Sequence, residues 1–437
     1  MAEYDFIVVG GGISGLLSTL ALAKKGKRVL VLEKSGHLGG VCRSYDVEGY
    51  QVDTGPHIIT RLEHGPLKEL MDEYFTTKPE FVPHGKYYVR MHGKLKPFPW
   101  NLTAWMGFDM LPITERMYLI KTLISVSHLF SSDPTLKEKS VQDLLGTGLT
   151  QDTKNFLDCM CGFMTGGAGM AETPVARFID AEKYKTTSNG IFDKIMNVLF
   201  KEGAADQTYP VGGIQSITNS IISSIPEHMA EFKTGEEVKK IDPAGKTVST
   251  SEDNYTADTI IYSGYASDLP KLVENLPSEY QAKLGKIQQV QSLTLWLGLK
   301  KKLFENQGSE IWVGPPHAWV VPTSNYDPNL APPGHQLAGF GFLIPWESDV
   351  KTQQKNILES VYQSMPGVEE NVEMTHFQNL VPEKAAWTVT SEFAQTKTPV
   401  ENLYLVGTDT ERKSMGITRA SYSVKNLLNV LKEDGKI

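Results

Sequence analysis

The chain has 437 residues, 40% of them apolar, with 43 basic and 51 acidic side chains and a net charge of −8. That is apolar mass enough for two domains, or for one domain with large insertions, and mild acidity without a basic block excludes a nucleic-acid-binding protein. Cys42, Cys159 and Cys161 do not make a disulfide framework, and no apolar run approaches the roughly 18 residues of a membrane span.

Glu3 and Asp5 stand where a signal peptide needs positive charge, so a cytoplasmic location is the default. Tyr4 to Val9, apolar with β-branched residues, reads as a buried strand. Gly10, Gly12 and Gly15 follow in G-x-G-x-x-G spacing. Ile13 to Ala23 carries apolar residues at helical intervals, and Lys24, Lys25 and Gly26 close that helix. Arg28 to Leu32 is a second strand with Glu33 at its end. Gly10 permits the tight turn, Gly12 lets a pyrophosphate approach the backbone, and Gly15 lets helix and strand pack closely. The helix start at Ile13 and Ser14 offers free N–H groups and a partial positive charge to a phosphate. Glu33, about 20 residues on, suits the ribose hydroxyls of an adenine dinucleotide. A lone glycine fingerprint is weak; strand, helix, strand and acid together outweigh an ordinary glycine-rich turn.

Lys34 to Ser44 is a loop in which Gly39 and Gly40 allow close passage of a ligand. Arg43 lies where it can return to the same phosphates, although alone it reads as a solvated arginine. Tyr50 to Thr60 is a short strand running into a Thr54-Gly55-Pro56 turn. His57 then opens another apolar run, and by composition it is a hydrogen-bonded structural histidine.

GGGISG, the terminal Glu33, GGVCRS and DTGPH together resemble the superfamily of phytoene desaturases, protoporphyrinogen oxidases and flavin-containing amine oxidases. GGxxRS is closest to the protoporphyrinogen oxidases, and D-x-GPH-x-x-T to the carotenoid desaturases. UDP-galactopyranose mutases carry a related G-x-H turn. The resemblance implies an α/β fold: a Rossmann-like FAD-binding domain of the glutathione reductase type with an inserted α+β substrate domain. It implies FAD rather than NAD. Arg43, in the loop with Lys34, Gly40 and Ser44, helps to hold the pyrophosphate. Gly55, Pro56 and His57 lie near the isoalloxazine.

Farther along, Leu67 to Tyr74 is a short amphipathic helix, and Lys86 to Trp100 is a hairpin turning at His92-Gly93. Trp105 to Phe130 has Met, Leu, Ile and aromatics at helical spacing. It suits a buried helix pair, a greasy tunnel or a peripheral membrane contact. Ser140 caps a helix start, Cys159 and Cys161 read as buried small residues rather than half a metal site, and Glu172 to Ala205 is mixed and mostly helical. Gly166, Gly167 and Gly169 form a flexible apolar stretch or a plain loop. Pro210 and Gly212-Gly213 lead into an amphipathic helix. Phe232 to Ile241 and Lys246 to Ser251 are strand-turn-strand, and Thr259 to Ser263 is an apolar strand. The resemblance places this block back in the FAD domain, with Val238 supporting the adenine through its backbone. Val290 to Leu299, Ile311 to Val321, Gln336 to Phe342 and Met374 to Leu380 are strands, Pro322 to Gly334 is a turn-rich loop, and Thr352 to Met365 is a helix. Trp387 packs near the flavin or in the core. Leu403 to Val406 is a strand, after which Gly407 permits close approach and Asp409 supplies a carboxylate. Met415, Gly416 and Ile417 begin a closing helix. This matches the family's last motif, whose carboxylate binds the ribityl or pyrophosphate region and whose helix terminus faces the flavin pyrimidine.

These blocks divide the chain into an FAD-binding domain (1–85, 207–265 and 396–437) and a substrate domain (86–206 and 266–395). No catalytic acid or base is identified, and no zinc spacing, P-loop or nucleophile elbow is present. The first functional reading is a flavin oxidoreductase that desaturates or saturates C–C bonds of a hydrophobic, isoprenoid- or carotenoid-like substrate, with an unidentified electron acceptor or donor. An amine oxidase or protoporphyrinogen-oxidase-like enzyme is an alternative; the aromatic residue that amine oxidases place before the flavin-facing turn is here Ser414, beside Lys413 and Arg412. A non-redox flavin mutase or hydratase is a third reading, and a binding protein with a vestigial site a fourth.

Overall fold

The computed structural model describes residues 3–129, 133–167, 169–177, 206–345 and 347–437. Five strands run parallel in its first sheet: Ala230–Thr234, Val29–Glu33, Tyr4–Val9, Asn254–Tyr262 and Leu403–Leu405, in that spatial order. Both faces are covered, as continuous apolar strands require. Phe6 and Val8 face one core with the first helix, Ile13–Lys24, and the closing helix, Gly416–Glu433. Ile7 and Val9 face a second core with Leu30, Ile260, Leu269 and Leu403. Asn254–Tyr262 outruns its parallel neighbours, and its first half forms an antiparallel meander with Thr247–Thr250 and Val238–Asp242. The expected apolar strand from Thr259 therefore starts earlier, because the polar residues before it pair in this meander.

A second seven-stranded sheet runs Val372–Leu380, Ser292–Leu299, Gln336–Leu343, Ala318–Val321, Gly308–Trp312, Lys86–Met91 and Lys94–Pro97. One face buries Leu293, Leu295, Phe340 and Phe342 under the helix Val350–Ser364. The other carries Trp296 against Tyr50, Val52 and Tyr209. The hairpin at His92-Gly93 forms as read, with φ of 51° and 72° at its two turn residues. The single strand expected over 311–321 is instead two antiparallel strands, because Gly314, Pro315 and Pro316 cannot continue a ladder. The helical stretch expected from Trp105 is a helix pair, Leu102–Gly107 and Ile113–Leu129, with Pro112 at the break. Met106, Ile113, Met117, Tyr118 and Leu123 on this pair are exposed rather than buried. Phe130 and most of the helical stretch expected over Glu172–Ala205 lie outside the described residues. Ser140 caps Val141–Leu145 in a full capping box with Asp143. Cys159 and Cys161 are both buried.

One amide ties the second sheet to the small hairpin Ser44–Val47 and Tyr50–Asp53 and to the turn that follows it. Gln378, 6% exposed, accepts from Gly55 N–H at 2.8 Å and from Trp296 Nε1 at 3.2 Å. It donates to Asp53 O at 2.9 Å and to Tyr45 Oη at 2.8 Å. Gln378→Leu keeps the volume and leaves two buried donors unpaired. Its expected cost is about 2–4 kcal/mol of unfolding free energy, measured by chemical denaturation.

Candidate functional site at the carboxyl ends of the parallel strands

The three fingerprint glycines meet three different surroundings. Gly10 has φ +106°, and an ideal Cβ there would lie 3.2 Å from the backbone carbon of Ser263. A Cβ on Gly15 would lie 2.1 Å from Gly10 O, so helix and strand touch through backbone alone. A Cβ on Gly12 would meet nothing within 4 Å. Gly12 is also the N-cap of the first helix and no side chain caps it. Its carbonyl accepts the first helical bond, from Leu16 N–H at 2.9 Å. Ile13 and Ser14 thus open the helix beneath a space free of protein, where an anion meets the positive helix end.

Glu33 closes one side of that space. Its Oε2 accepts from Gly11 N–H at 2.7 Å, and its Oε1 accepts from Ser35 N–H and Oγ, each at 2.8 Å. Glu236 N–H bonds to Glu33 O at 2.9 Å, which brings the start of Val238–Asp242, and Val238 itself, to the Glu33 end of the cradle. Gly39 N–H bonds to Gly11 O at 2.8 Å, and a Cβ on Gly40 would sit 3.2 Å from Gly12 Cα, so this loop lies directly on the fingerprint. Arg43 hydrogen-bonds the His37 ring and lies 5.8 Å over the Tyr45 ring. Burial, then the Arg43 charge, lowers the His37 pKa, with Glu33 opposing. Lys34 is exposed.

Ser44 is spent inside the protein. Its Oγ donates to Asp53 Oδ1 at 2.6 Å and accepts from Gln215 N–H at 3.1 Å. Asp53 is fully buried and also accepts from Tyr209 Oη and Ile214 N–H; burial raises its pKa against these bonds. Gly55 has φ +81°, and a Cβ there would lie 3.3 Å from Leu380 Cδ1. Pro56 packs on Gly341. The His57 ring nitrogen bonds Thr54 O at 2.8 Å within its own turn.

At the other end, Gly407 has φ +153°, and a Cβ there would lie 2.7 Å from Asp409 Oδ1. Asp409 is 1% exposed and accepts from Ala266 N–H at 2.7 Å. Burial raises its pKa, and Lys384 is the first opposing influence. Met415 is the N-cap of the closing helix, and Ile417 is buried behind it. The N–H of Gly416 is taken by the Glu383 carboxylate. Glu383 is paired with Arg419 at 3.1 Å, both buried, and Arg419 also donates to Ser414 O and Ala385 O. Glu383, Lys384 and Arg419 escaped the sequence reading. The available signal was a charged pair in an apolar loop, and an arginine on the buried face of an amphipathic helix. Trp387 packs against the second core rather than at the cradle.

Beyond the Gly55-Pro56 turn lies a half-open cavity of about 810 Å³, walled in part by Gly166, Ile287, Gln291, Leu343 and Ala386. Gly341 pairs with Thr294, and Leu343 with Ser292. Leu343 is thus two residues, roughly 7 Å, along the strand from the Gly341 that supports Pro56.

Gly15→Ala is expected to destabilise the flavin-free protein by about 3 kcal/mol or more, because backbone oxygen cannot move aside as a side chain can. Gly12→Val costs the same protein only about 1 kcal/mol, the scale of an N-cap change, yet abolishes retention of a dinucleotide. Denaturation midpoints and the ligand content of purified protein separate the two effects.

An open position over Gly12, an uncapped helix end and a carboxylate at the expected ribose end fit a bound dinucleotide. A family model described as flavin containing amine oxidoreductase matches residues 13–420. The chain is 40% identical over 82 residues to the all-trans-retinol 13,14-reductase of Macaca fascicularis, across 18% of this chain and only 13% of that protein. It is 24% identical over 412 residues to the 1-hydroxycarotenoid 3,4-desaturase of Flavobacterium sp. (strain P99-3), across 81% of this chain and 80% of the relative. A solved oxidoreductase from Methanosarcina mazei shares the fold, with a TM-score of 0.77 at 21% identity over 97% of this chain and 99% of that one. The chain belongs to the flavin-containing amine oxidoreductase family, and its cofactor is FAD.

Proposed function

We propose that this flavin oxidoreductase desaturates or saturates a C–C bond of a hydrophobic, isoprenoid-like substrate. The observation that carries the reading is the 810 Å³ cavity beside the Gly55-Pro56 turn, with Ile287, Leu343, Ile344, Pro345 and Ala386 in its wall. That volume accepts a bulky apolar group. Gln288, Gln289 and Gln291 add amides at one side, which suit a polar end on such a substrate. The similarity to a retinol reductase and a carotenoid desaturase supports the same chemistry. Bound FAD would supply the two-electron redox chemistry, with the residues of the glycine cradle holding it. The chain orients the substrate and keeps water from its apolar part.

An amine substrate is less well served. Ser414 replaces an aromatic cage residue, and it follows Arg412 and Lys413, whose charges repel a protonated amine. Arg412 lies 5.2 Å over Phe393 and Lys413 5.5 Å over Tyr422, so the aromatic faces there already carry cations.

Under anaerobic conditions, all-trans isoprenoid polyenes are expected to reoxidise the chemically reduced protein, or their saturated relatives to bleach the oxidised one. Peroxide from primary or secondary amines, with no response to isoprenoids, would sink the reading. So would product formation without net electron consumption. Leu343→Trp narrows the cavity at its wall and is expected to raise KM by about tenfold or more, with FAD content unchanged.

A further inference from the structure

Lys384 belongs to none of the sequence motifs, yet it ends in the cradle. Its Nζ donates to Ser263 O and, at 2.9 Å, to Gly264 O. The Ser263 carbonyl oxygen is itself 3.3 Å from the ideal Cβ position of Gly10. The same ammonium lies 3.0 Å from the ideal Cβ position of Gly407. It therefore sits between the two glycines that follow Tyr4–Val9 and Leu403–Leu405, at the carboxyl ends of the strands flanking Asn254–Tyr262. Ligands of open parallel sheets bind at such ends. The backbone is fixed as well: Lys384 N–H bonds Thr408 Oγ1 at 3.0 Å.

The charge is incompletely answered. A lysine ammonium has three donors; two are used here, both on neutral carbonyls, and the Tyr265 ring lies 5.9 Å from the ammonium without supplying a negative charge. Among the described residues no carboxylate stands within ion-pair distance. Asp409 and Glu33 attract Lys384 from farther away, while the Asp409 carboxylate accepts from Ala266 N–H. The residue is half-buried, but protein surrounds the ammonium end, and burial lowers its pKa. A cation withdrawn from water without an anion is costly unless one arrives. Gly407 has no side chain, and a Cβ there would crowd Lys384 Nζ.

We propose that Lys384 pairs with the diphosphate of FAD, opposite the uncapped N-terminus of the first helix. The two positive elements then grip the anion from two sides, one from the fingerprint and one from a residue far along the chain. This rests on FAD occupying the cradle, and the test separates the two claims.

Full-length protein freed of flavin is titrated with ADP, FAD and riboflavin, in wild type, Lys384→Met, Lys384→Arg and Gly12→Val. Lys384→Met is expected to weaken ADP and FAD by about tenfold to a hundredfold, the scale of a charge-assisted bond in a protected site. Riboflavin, which lacks the diphosphate, is unaffected; Lys384→Arg restores most of the loss; and the thermal midpoint of the flavin-free Met variant does not fall. ADP affinity unchanged in Lys384→Met but lost in Gly12→Val overturns the role of Lys384 alone. ADP affinity unchanged in both overturns the cradle. A lower midpoint with equal losses for ADP and riboflavin makes Lys384 a structural donor and overturns the proposal too. If the Met variant does not fold, acetylation of the wild type decides. ADP, and not riboflavin, suppresses labelling of Lys384; labelling unchanged by ADP overturns the pairing.

Discussion

The structure depends on one backbone-to-backbone approach. A Cβ on Gly15 would stand 2.1 Å from Gly10 O, so no other residue lets the first helix lie this close to the strand that feeds it. The closeness aims the helix terminus at the strand ends. Gly10 N–H bonds Leu32 O and Ser263 N–H bonds Val9 O, both at 2.8 Å, so three parallel strands stop level with one another. Glu33, Ser263 and Gly12 then converge without any of them being in a regular element's interior. The site is a consequence of where the ladder ends, and the glycines permit the ladder and the helix to end together.

The N-termini of the first and closing helices are treated differently by the rest of the chain. The first keeps its N-terminus uncapped. The closing helix has its first N–H on Glu383, and Arg419 neutralises Glu383 in turn. A buried pair like this contributes little net stability, because desolvation of both ions offsets their attraction; breaking it would strand a charge. Its clearer effect is geometric. Arg419 also holds Ser414 O, which has φ +64° at that residue, and Ala385 O. The turn before the closing helix is thereby fixed to the 383–385 segment, and that segment continues into the cavity wall at Ala386.

Legibility followed sequence distance. The glycine spacing, the acid after the second strand, the Ser140 capping box and the His92-Gly93 turn are all local, and each formed as read. Where a reading failed, a local signal was outweighed. Gly314 and two prolines divide a strand that an apolar run suggested was continuous, and the helix pair from Trp105 exposes apolar side chains where burial was expected. Three site-forming contacts were beyond local reading. Lys384 meets Ser263 across 121 positions, Gln378 meets Gly55 across 323, and Glu383 meets Arg419 across 36. None leaves a periodicity, because a single charge or amide does so only through the fold. Ser44 and His57 show the converse. Both sit in family motifs, but one hydroxyl and one ring nitrogen close bonds to Asp53 and Thr54 instead of projecting free.

The Gln378 contacts have a further consequence for the site. Asp53 gathers Ser44, Tyr209 and Ile214, while Gln378 gathers the Asp53 carbonyl, Gly55 and Trp296. The turn carrying Gly55, Pro56 and His57 is therefore held from below by the first unit of the chain and from above by the second sheet. Trp296 and Gly341 belong to the strands that continue to Ser292 and Leu343. The Gly55-Pro56 turn and the cavity wall rest on the same ladder, with packed side chains and no loop between them. Packed interiors yield in discrete steps rather than by gradual deformation. A change in the cavity at Leu343 therefore has a rigid path of two residues back to the turn, whereas a change at an exposed residue such as Met117 has none. The strand ends of the cradle are fixed by the parallel sheet, and the rest of the chain is tied to them at several points: Gln378 at Gly55, Lys384 at Ser263 and Glu383 at Arg419.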